Sequence, residues 1–168
     1  DFEVIPAEGD RLREIAGDEA RQAVAVMRVP RALGLEAWLA GLPKVATCVA
    51  LDGVTDPGNL GAILRSGAFF GAAGCLVCRD NTAPLNSIVA RRSAGALFRL
   101  PVVEVVNLSR SLGVLKEAGF WVYSTLPASG RELFEERFPD RTCFVLGDEG
   151  RGIRPNVAAH CEDRKSVV

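Results

Sequence analysis

The chain is poor in several residue types on which protein chemistry often depends. Its 168 residues include a single histidine, His160. This argues against a zinc site built from several histidines and leaves one residue for any Ser-His-Asp triad. Neither a G-x-x-x-x-G-K-[ST] phosphate loop nor a G-x-S-x-G elbow occurs. The apolar runs are far shorter than the roughly 18–20 residues of a membrane-spanning helix, which predicts a soluble protein.

Lysine is also scarce, and arginine supplies 17 of the 20 cationic side chains. The formal net charge of −1 argues against a strongly basic surface for nucleic acid. A local arginine-rich face stays possible, because arginine suits bidentate phosphate contacts and stacking on bases. The alternative explanation is a compositional bias of the source genome.

The cysteines do not form a recognisable framework. There are five, an odd number at irregular spacing, which does not fit a set of structural disulfides. Cys75 and Cys78 lie in an apolar segment predicted as a strand, where residues three apart point to opposite faces. A structural role is therefore favoured over a metal or redox pair. We predict a reducing, cytoplasmic environment and no metal.

From residue 45 onward, short apolar segments alternate with segments of helical periodicity. Near-continuous apolar strands of this kind predict an α/β fold, a doubly wound parallel sheet covered on both faces. The predicted strands are 45–51, 75–78, 101–106, 120–125, 142–146 and the start of a sixth at 166–168. The predicted helices are 31–42, 59–70, 85–96, 108–118, 131–138 and 155–161. Ligands of such folds bind where strands end, so loops 52–59, 79–86, 125–131 and 147–155 are the candidate sites.

The first candidate segment is LDGVTDPGNLGAILR, residues 51–65. Asn59 stands near the start of a predicted helix, and Arg65 lies nearly two turns further along it. An arginine among apolar residues is costly to bury without an acceptor, which makes Arg65 a candidate functional residue. The alternative is that Asn59 only caps the helix and Arg65 only forms a structural ion pair.

The second candidate segment is FVLGDEGRGIR, residues 144–154, in which a buried strand runs into a glycine-rich turn. Its G-x-x-G-x-G spacing is the reverse of a dinucleotide-binding loop. Asp148 and Glu149 disfavour a phosphate ligand and tolerate a cationic or hydroxyl-bearing one, such as a sulfonium nucleoside. An ordinary strand–turn–helix connection is the alternative.

The third candidate segment, residues 79–99, is rich in arginine and polar amides. Such side chains suit contacts to a sugar–phosphate backbone. A solvated helix face that carries arginines is the alternative explanation.

Taken together, LDGVTDPGNLGAILRSGAFFGAAG and FVLGDEGRGIRPNVAAHCED resemble the first two signature motifs of the SpoU-type RNA 2′-O-ribose methyltransferases of the SPOUT superfamily. The resemblance extends over residues 45–163. It implies a doubly wound domain with a C-terminal trefoil knot, and a homodimer whose active site lies near the dimer interface. It also implies transfer of a methyl group from S-adenosylmethionine to a ribose 2′-hydroxyl.

The resemblance assigns roles to single residues. Asn59 and Arg65 match the family's catalytic pair. The residues that it implies for cofactor binding are Thr125, Gly147, Glu149, Gly150 and Ile153. Those that we predict to bind RNA are Arg79, Asn86, Arg91, Arg92 and Arg151. A guanidinium keeps its proton at neutral pH, so Arg65 cannot readily accept another proton as a general base. We therefore expect Arg65 to hold a phosphate and stabilise developing alkoxide charge, and Asn59 to orient the ribose or Arg65.

The sequence departs from the family pattern at two places, one near each end. The third motif, a proline-containing strand end followed by S/N-L-N-V-S, would begin near Val168, so the cofactor pocket and the knot are expected to be incomplete here. Residues 1–44 are predicted to be the tail of an upstream RNA-binding domain plus a linker and a helix. Residues 45–168 are predicted to be the methyltransferase catalytic domain.

The leading interpretation is an enzyme that methylates ribosomal RNA, with transfer RNA as the other substrate. A catalytically silent RNA-binding module of the same fold is the main alternative. An argument against it is that such a module has no chemical reason to keep a buried arginine at position 65. An unrelated nucleotide-binding α/β protein is a third interpretation, which the reversed glycine spacing disfavours.

Overall fold

The structure is a computed structural model that describes residues 5–17, 23–126, 131–132, 137–161 and 163–166. The helices are α1 (Gly9–Ala16), α2 (Leu35–Ala40), α3 (Pro57–Phe69), α4 (Ser87–Arg92), α5 (Leu108–Glu117) and α6 (Pro155–Ala158), with a short 3-10 helix at Ala96–Phe98. The strands are β1 (Ala46–Asp52), β2 (Gly74–Cys78), β3 (Val102–Val105), β4 (Trp121–Leu126), β5 (Arg131–Glu132), β6 (Arg141–Gly147) and β7 (Asp163–Ser166). No helix in these ranges is long and apolar enough to cross a membrane.

All seven strands belong to one sheet in the order β3-β2-β1-β6-β4-β7-β5, and every pairing is parallel. The prediction of a parallel α/β sheet is confirmed. β1 and β6 are paired in register from Ala46 and Arg141 to Asp52 and Gly147. From β1 the chain proceeds outward on one side, to β2 and β3, whereas β4 lies on the other side. Ligands of open parallel sheets bind at such a switch point, which here lies at the ends of β1 and β6.

The sheet is covered on both faces by separate hydrophobic clusters. In β2, Leu76 and Cys78 face one cluster, whereas Cys75 and Val77 face the other, as the alternation of a strand requires. Leu60 and Leu64, on the inner side of α3, have no exposed surface. Truncating a leucine in such a position to alanine costs about 2–5 kcal/mol. This packing fixes α3 against the sheet and so fixes the direction of its polar first turn.

Residues 33–40 pack directly on the sheet. Leu33 donates to and accepts from the backbone of β3, with N–H···O distances of 2.8 and 3.0 Å. The buried Trp38 donates from Nε1 to the carbonyl of Ala73 at 3.0 Å and stacks on Phe120. A Cβ at Gly74 would lie 2.7 Å from that indole nitrogen, so glycine makes room for the ring. The upstream RNA-binding domain stays a prediction.

Several predicted elements differ from the structure. The helices predicted at 31–42 and 155–161 are shorter, at Leu35–Ala40 and Pro155–Ala158, and Leu33 pairs with β3 instead of lying in a helix. The helix predicted at 131–138 is wrong at its start, because Arg131–Glu132 pairs with β7 and gains its backbone hydrogen bonds there; residues 133–136 lie outside the described residues. The helix predicted at 85–96 is shorter, since the chain turns after Arg92 with positive φ at Ala94 and Gly95. Helix α1 lies in a segment predicted as connector, and none of its residues is buried.

The predicted sixth strand is present and begins earlier, at Asp163, while residues 167–168 lie outside the described residues. It pairs with β4 on one side and β5 on the other. The described residues end in this strand. The trefoil knot that the resemblance implies therefore stays a prediction.

Candidate active site

The loop after β1 presents Asn59 at the first turn of α3. Asp56 caps this helix, accepting a hydrogen bond from the Asn59 backbone N–H at 2.8 Å, and Pro57 occupies the first turn. Asn59 is therefore not the cap, and its side chain is available for another partner. Its Nδ2 donates to Oε1 of Glu149 at 2.9 Å, across a sequence separation of 90 residues. The two candidate segments meet at this bond.

The loop after β6 is a tight hairpin. The backbones of Asp148 and Gly152 bond to each other at 2.8 and 3.2 Å. The Asp148 carboxylate accepts from the N–H groups of Gly150 and Arg151 at 3.0 and 2.8 Å. A Cβ at Gly147 would overlap the backbone of Gly152 and reach within 2.5 Å of the Ile153 nitrogen. Asp148 therefore folds the hairpin, and the next residue, Glu149, extends from it toward Asn59.

An ion pair with a buried carboxylate joins the same two loops. Asp52, the last residue of β1, is 1% exposed and accepts hydrogen bonds from the backbone N–H and the Nε of Arg154 at 2.7 and 2.8 Å. The hydrogen bond that the Arg154 guanidinium donates to Asp52 raises the pKa of that guanidinium. Sequence reasoning missed this pair. The available signal was an aspartate at the end of an apolar strand, where an unpaired charge is costly to bury.

A cavity of about 360 Å³ opens beside the Asn59–Glu149 bond. Its lining combines apolar side chains with three carboxylates. The lining residues are Val54, Thr55, Asp56, Asn59, Ala62, Ile63, Leu146, Gly147, Asp148 and Glu149. The acidic lining favours a ligand that carries positive charge or hydroxyl groups and repels a phosphate. The structure thus brings Asn59, Gly147 and Glu149 together around one cavity.

The other residues that the sequence assigns to the cofactor do not line this cavity. The Thr125 hydroxyl donates to the carbonyl of Val145 at 2.9 Å. Gly150 lies in the hairpin turn, and Ile153 packs against the core on the α5 side of the sheet. Contacts of these three residues with a cofactor stay predictions.

Arg65 lies on a different side of α3 from Asn59. Six residues correspond to about 600° of helix rotation, which leaves the two side chains about 120° apart. The expectation that Arg65 is buried is wrong, because its side chain is exposed. Among the described residues it has no hydrogen-bond or ion-pair partner, which removes the structural ion pair suggested as its alternative role. It lines a second cavity of about 530 Å³ together with Phe69 and Arg99.

The residues predicted to bind RNA have varied surroundings. Arg79 is exposed and paired with Glu104 at 2.8 Å, which raises the pKa of its guanidinium. Asn86 caps α4, accepting from the N–H groups of Ile88 and Val89 at 3.0 and 3.2 Å. The side chains of Arg91, Arg92 and Arg151 are exposed. Their contact with RNA stays a prediction. In the described ranges there is no group of three or more potential metal ligands.

The family profile described as "SpoU rRNA Methylase family" matches residues 46–167. The chain belongs to the SpoU rRNA methylase family. The 23S rRNA (guanosine-2′-O-)-methyltransferase RlmB of Ralstonia nicotianae is 35% identical over 166 residues, 98% of this chain and 67% of that protein. The motifs that carry the family resemblance are thus those that form the Asn59–Glu149 cavity.

Solved structures of RNA methyltransferases share the fold. An RNA methyltransferase of the TrmH family from Porphyromonas gingivalis has a TM-score of 0.67 at 34% identity, covering 74% of this chain and 50% of that one. The AdoMet-bound rRNA methyltransferase from Sinorhizobium meliloti has a TM-score of 0.72 at 26% identity, covering 82% and 52%. The chain thus spans about two thirds of the Ralstonia relative and about half of these two structures.

Proposed function

We propose that this chain transfers the methyl group of S-adenosylmethionine to a ribose 2′-hydroxyl, with ribosomal RNA as the substrate class. The observation that carries the proposal is the Asn59–Glu149 bond beside the cavity that the loops after β1 and β6 form with α3. The name of the Ralstonia relative, a 23S rRNA guanosine-2′-O-methyltransferase, supports ribosomal over transfer RNA. The AdoMet-bound Sinorhizobium structure supports the cofactor.

The chemistry of the cavity fits S-adenosylmethionine. Val54, Ile63 and Leu146 supply apolar surface that suits the adenine ring. The carboxylates of Asp148 and Glu149 suit a ligand with sulfonium and ammonium charges and ribose hydroxyls. When bound, the cofactor supplies an electrophilic methyl group. Gly147 and Glu149 would hold it, in a loop that Asp148 and Asp52 keep folded.

Arg65 acts on the RNA in this proposal. Its guanidinium stays protonated at neutral pH, so it holds a phosphate and stabilises negative charge on the attacking ribose oxygen. Asn59, already bonded to Glu149, orients the ribose at the rim of the cavity. Alignment of the hydroxyl with the methyl group supplies much of the rate.

The proposal includes a homodimer that works in the cytoplasm, where ribosomal RNA is found. Asn59 and Arg65 face different cavities in one chain. In a dimer, Arg65 of the second copy can reach the cavity beside Asn59 of the first. The family resemblance implies the same arrangement, with the active site near the dimer interface.

The test is methyl transfer from labelled S-adenosylmethionine to unmodified ribosomal and transfer RNA, followed by digestion to nucleosides. Label in a 2′-O-methyl nucleoside of ribosomal RNA, lost in Arg65→Ala and kept in the matched surface variant Arg110→Ala, supports the proposal. Label in a 2′-O-methyl nucleoside of transfer RNA instead would mean that transfer RNA is the substrate. Label in a base rejects ribose methylation. RNA binding without label favours the silent RNA-binding module.

A further inference from the structure

The second cavity shares no lining residue with the cavity beside the Asn59–Glu149 bond. It lies between residues 65–72, in and just after the second half of α3, and residues 93–100, in and around the 3-10 helix. The lining residues are Arg65, Ala68, Phe69, Ala72, Ser93, Ala94, Ala96, Arg99 and Leu100. Its volume of about 530 Å³ falls within the roughly 300–1,000 Å³ of ligand pockets. The cavity is thus large enough for a nucleotide.

The charged side chains of this lining are all cationic. Arg65 and Arg99 are exposed and contribute two guanidiniums, and no carboxylate belongs to the lining. A cavity of this charge complements a phosphate and repels the cationic cofactor proposed for the other cavity. The two cavities, separated by α3, therefore select ligands of opposite charge.

Phe69 adds an aromatic surface beside these guanidiniums. Its side chain is 82% exposed, one helical turn beyond Arg65 on the same side of α3. Phe70 meets its ring edge-on at a centroid distance of 5.1 Å and does not line the cavity. An exposed aromatic ring next to arginines is the combination with which proteins bind single-stranded nucleic acid, by stacking on a base and pairing with its phosphate.

The floor of the cavity is held by tight packing. A Cβ at Gly61 would lie 3.0 Å from the Ser93 backbone nitrogen, so glycine lets α4 approach α3 closely. The buried Ser93 hydroxyl donates to the carbonyl of Ala90 at 3.0 Å and accepts from Leu97 N–H at 3.2 Å. Ala94 has φ of +49°, a strained conformation of the kind found at functional sites. The cavity is therefore a built feature of the fold.

We infer that this cavity binds a nucleotide adjacent to the methylated one in single-stranded RNA, with its phosphate on Arg99 and its base on Phe69. The inference rests on the proposed function, since it deepens the substrate class from ribosomal RNA to an unstacked strand. It also assigns RNA contacts to Phe69 and to Arg99, the last residue of the arginine-rich segment 79–99, neither of which is among the five residues predicted to bind RNA. A second copy of the chain is the other occupant to be tested.

The experiment measures fluorescence anisotropy of a 5′-fluorescein-labelled 15-mer of adenosine RNA with the protein and its variants, at several KCl concentrations. Phe69→Ala is expected to raise the Kd about tenfold, and Phe69→Trp to keep it within about twofold, because stacking needs an aromatic face. Arg99→Gln is expected to lower the slope of log Kd against log salt by about 0.7, one phosphate contact on a single strand. Phe70→Ala and Arg110→Gln are the matched controls and should change neither quantity.

Equal effects of Phe69→Ala and Phe70→Ala, or an unchanged salt slope in Arg99→Gln, overturn the inference. Sedimentation velocity is run on the same variants, and dissociation of a dimer by Phe69→Ala would assign the cavity to a second copy. The RNA-binding measurement needs no turnover. If the unsubstituted protein transfers no methyl group but Phe69→Ala and Arg99→Gln weaken RNA binding as expected, the proposed function is rejected and the RNA-binding cavity is retained. If the protein transfers methyl groups but the two variants bind RNA normally, the proposed function is retained and the cavity is rejected.

Discussion

The carboxylate of Asp52 is buried at the end of β1 and receives both the backbone N–H and the guanidinium of Arg154, 102 residues later in the chain. One oxygen accepts from the backbone at 2.7 Å, and the other accepts from Nε at 2.8 Å. Arg154 is also the residue that precedes α6. A single side chain thus holds the end of the β6 loop against the β1 loop.

The first prediction concerns this pair. Asp52→Asn keeps the shape of the side chain and replaces one acceptor oxygen by an NH₂ group, which then faces an N–H donor of Arg154. We expect the free energy of unfolding to fall by about 1–3 kcal/mol. The loss stays below that of a fully buried pair, because the Arg154 side chain is 48% exposed and can reach water. Urea denaturation followed by circular dichroism measures it.

Asp140→Asn is the matched control, since Asp140 is an exposed aspartate at the opposite end of the sheet. It should leave stability within about 0.5 kcal/mol of the wild type. If both variants were equally stable, the Asp52–Arg154 pair would not hold the two loops together.

The second prediction exchanges the donor and acceptor of the Asn59–Glu149 bond. Asn59→Asp places two carboxylates at the 2.9 Å contact, and their repulsion displaces Glu149 from the position in which it would hold the cofactor. We therefore expect the Kd for S-adenosylmethionine to rise about tenfold, although the variant adds negative charge to the cavity. Adding Glu149→Gln restores a hydrogen bond and the original net charge with the polarity reversed. The double variant should therefore bind more tightly than Asn59→Asp alone. Isothermal titration calorimetry measures each Kd.

The coupling free energy of that cycle is the informative quantity. Residues in direct contact couple by about 0.5–3 kcal/mol. Glu149→Gln alone provides the fourth corner of the cycle. Additive effects of the two substitutions would mean that the bond plays no part in forming the cofactor cavity.

The sequence predicted most of the sheet because buried parallel strands are continuous apolar runs. The predicted strand 45–51 is shifted by one residue from β1 (Ala46–Asp52). The predicted strand 142–146 lies entirely within β6 (Arg141–Gly147). The charged segment 131–138 was predicted as a helix from local composition. Its first two residues form a strand instead, because β7 offers backbone partners that local pattern does not reveal.

The candidate site could be predicted only in part. The family resemblance implied that Asn59 and Glu149 belong to one site, and the structure places them in contact. The separation of Arg65 from Asn59 follows from their spacing, since six residues along a helix turn the side chain away by about 120°. The exposure of Arg65 was not predictable, because its apolar sequence neighbours suggested burial. Asp52 and Arg154 meet only because β1 and β6 are neighbours in the sheet, and no local pattern encodes that pairing.

The third prediction concerns the hairpin after β6. Gly147→Ala adds a methyl group that overlaps the Gly152 backbone, so the hairpin has to open. We expect stability to fall by about 1–3 kcal/mol and S-adenosylmethionine binding to weaken. Gly113→Ala is the contrasting glycine variant, because its added Cβ meets nothing within 4 Å in the middle of α5. It should raise stability by up to about 1 kcal/mol. Thermal melts with and without S-adenosylmethionine measure both effects, and equal melting temperatures for the two variants would contradict the hairpin geometry.

The fourth prediction follows from the thiol of Cys75. Burial, with a smaller contribution from Cys143, raises the pKa of Cys75 from 9.0 to about 12. The folded protein therefore keeps a neutral thiol at pH values where the unfolded chain has a thiolate. Because the folded pKa is raised, the stability that this group contributes is fully present below about pH 9 and is lost as pH rises toward 12.

Between pH 8 and pH 10.5 the Cys75 thiol should reduce the free energy of unfolding by roughly 2 kcal/mol, at about 1.4 kcal/mol per pH unit above the unfolded pKa. Cys75→Ala removes this titration, so its stability should decline less over the same interval than that of the wild type. Val77→Ala opens a comparable gap in the same cluster without touching a thiol and should keep the wild-type pH dependence. Urea denaturation of the three proteins at both pH values measures the difference. Parallel declines in all three would show that the thiol ionises as readily in the folded chain as in the unfolded one.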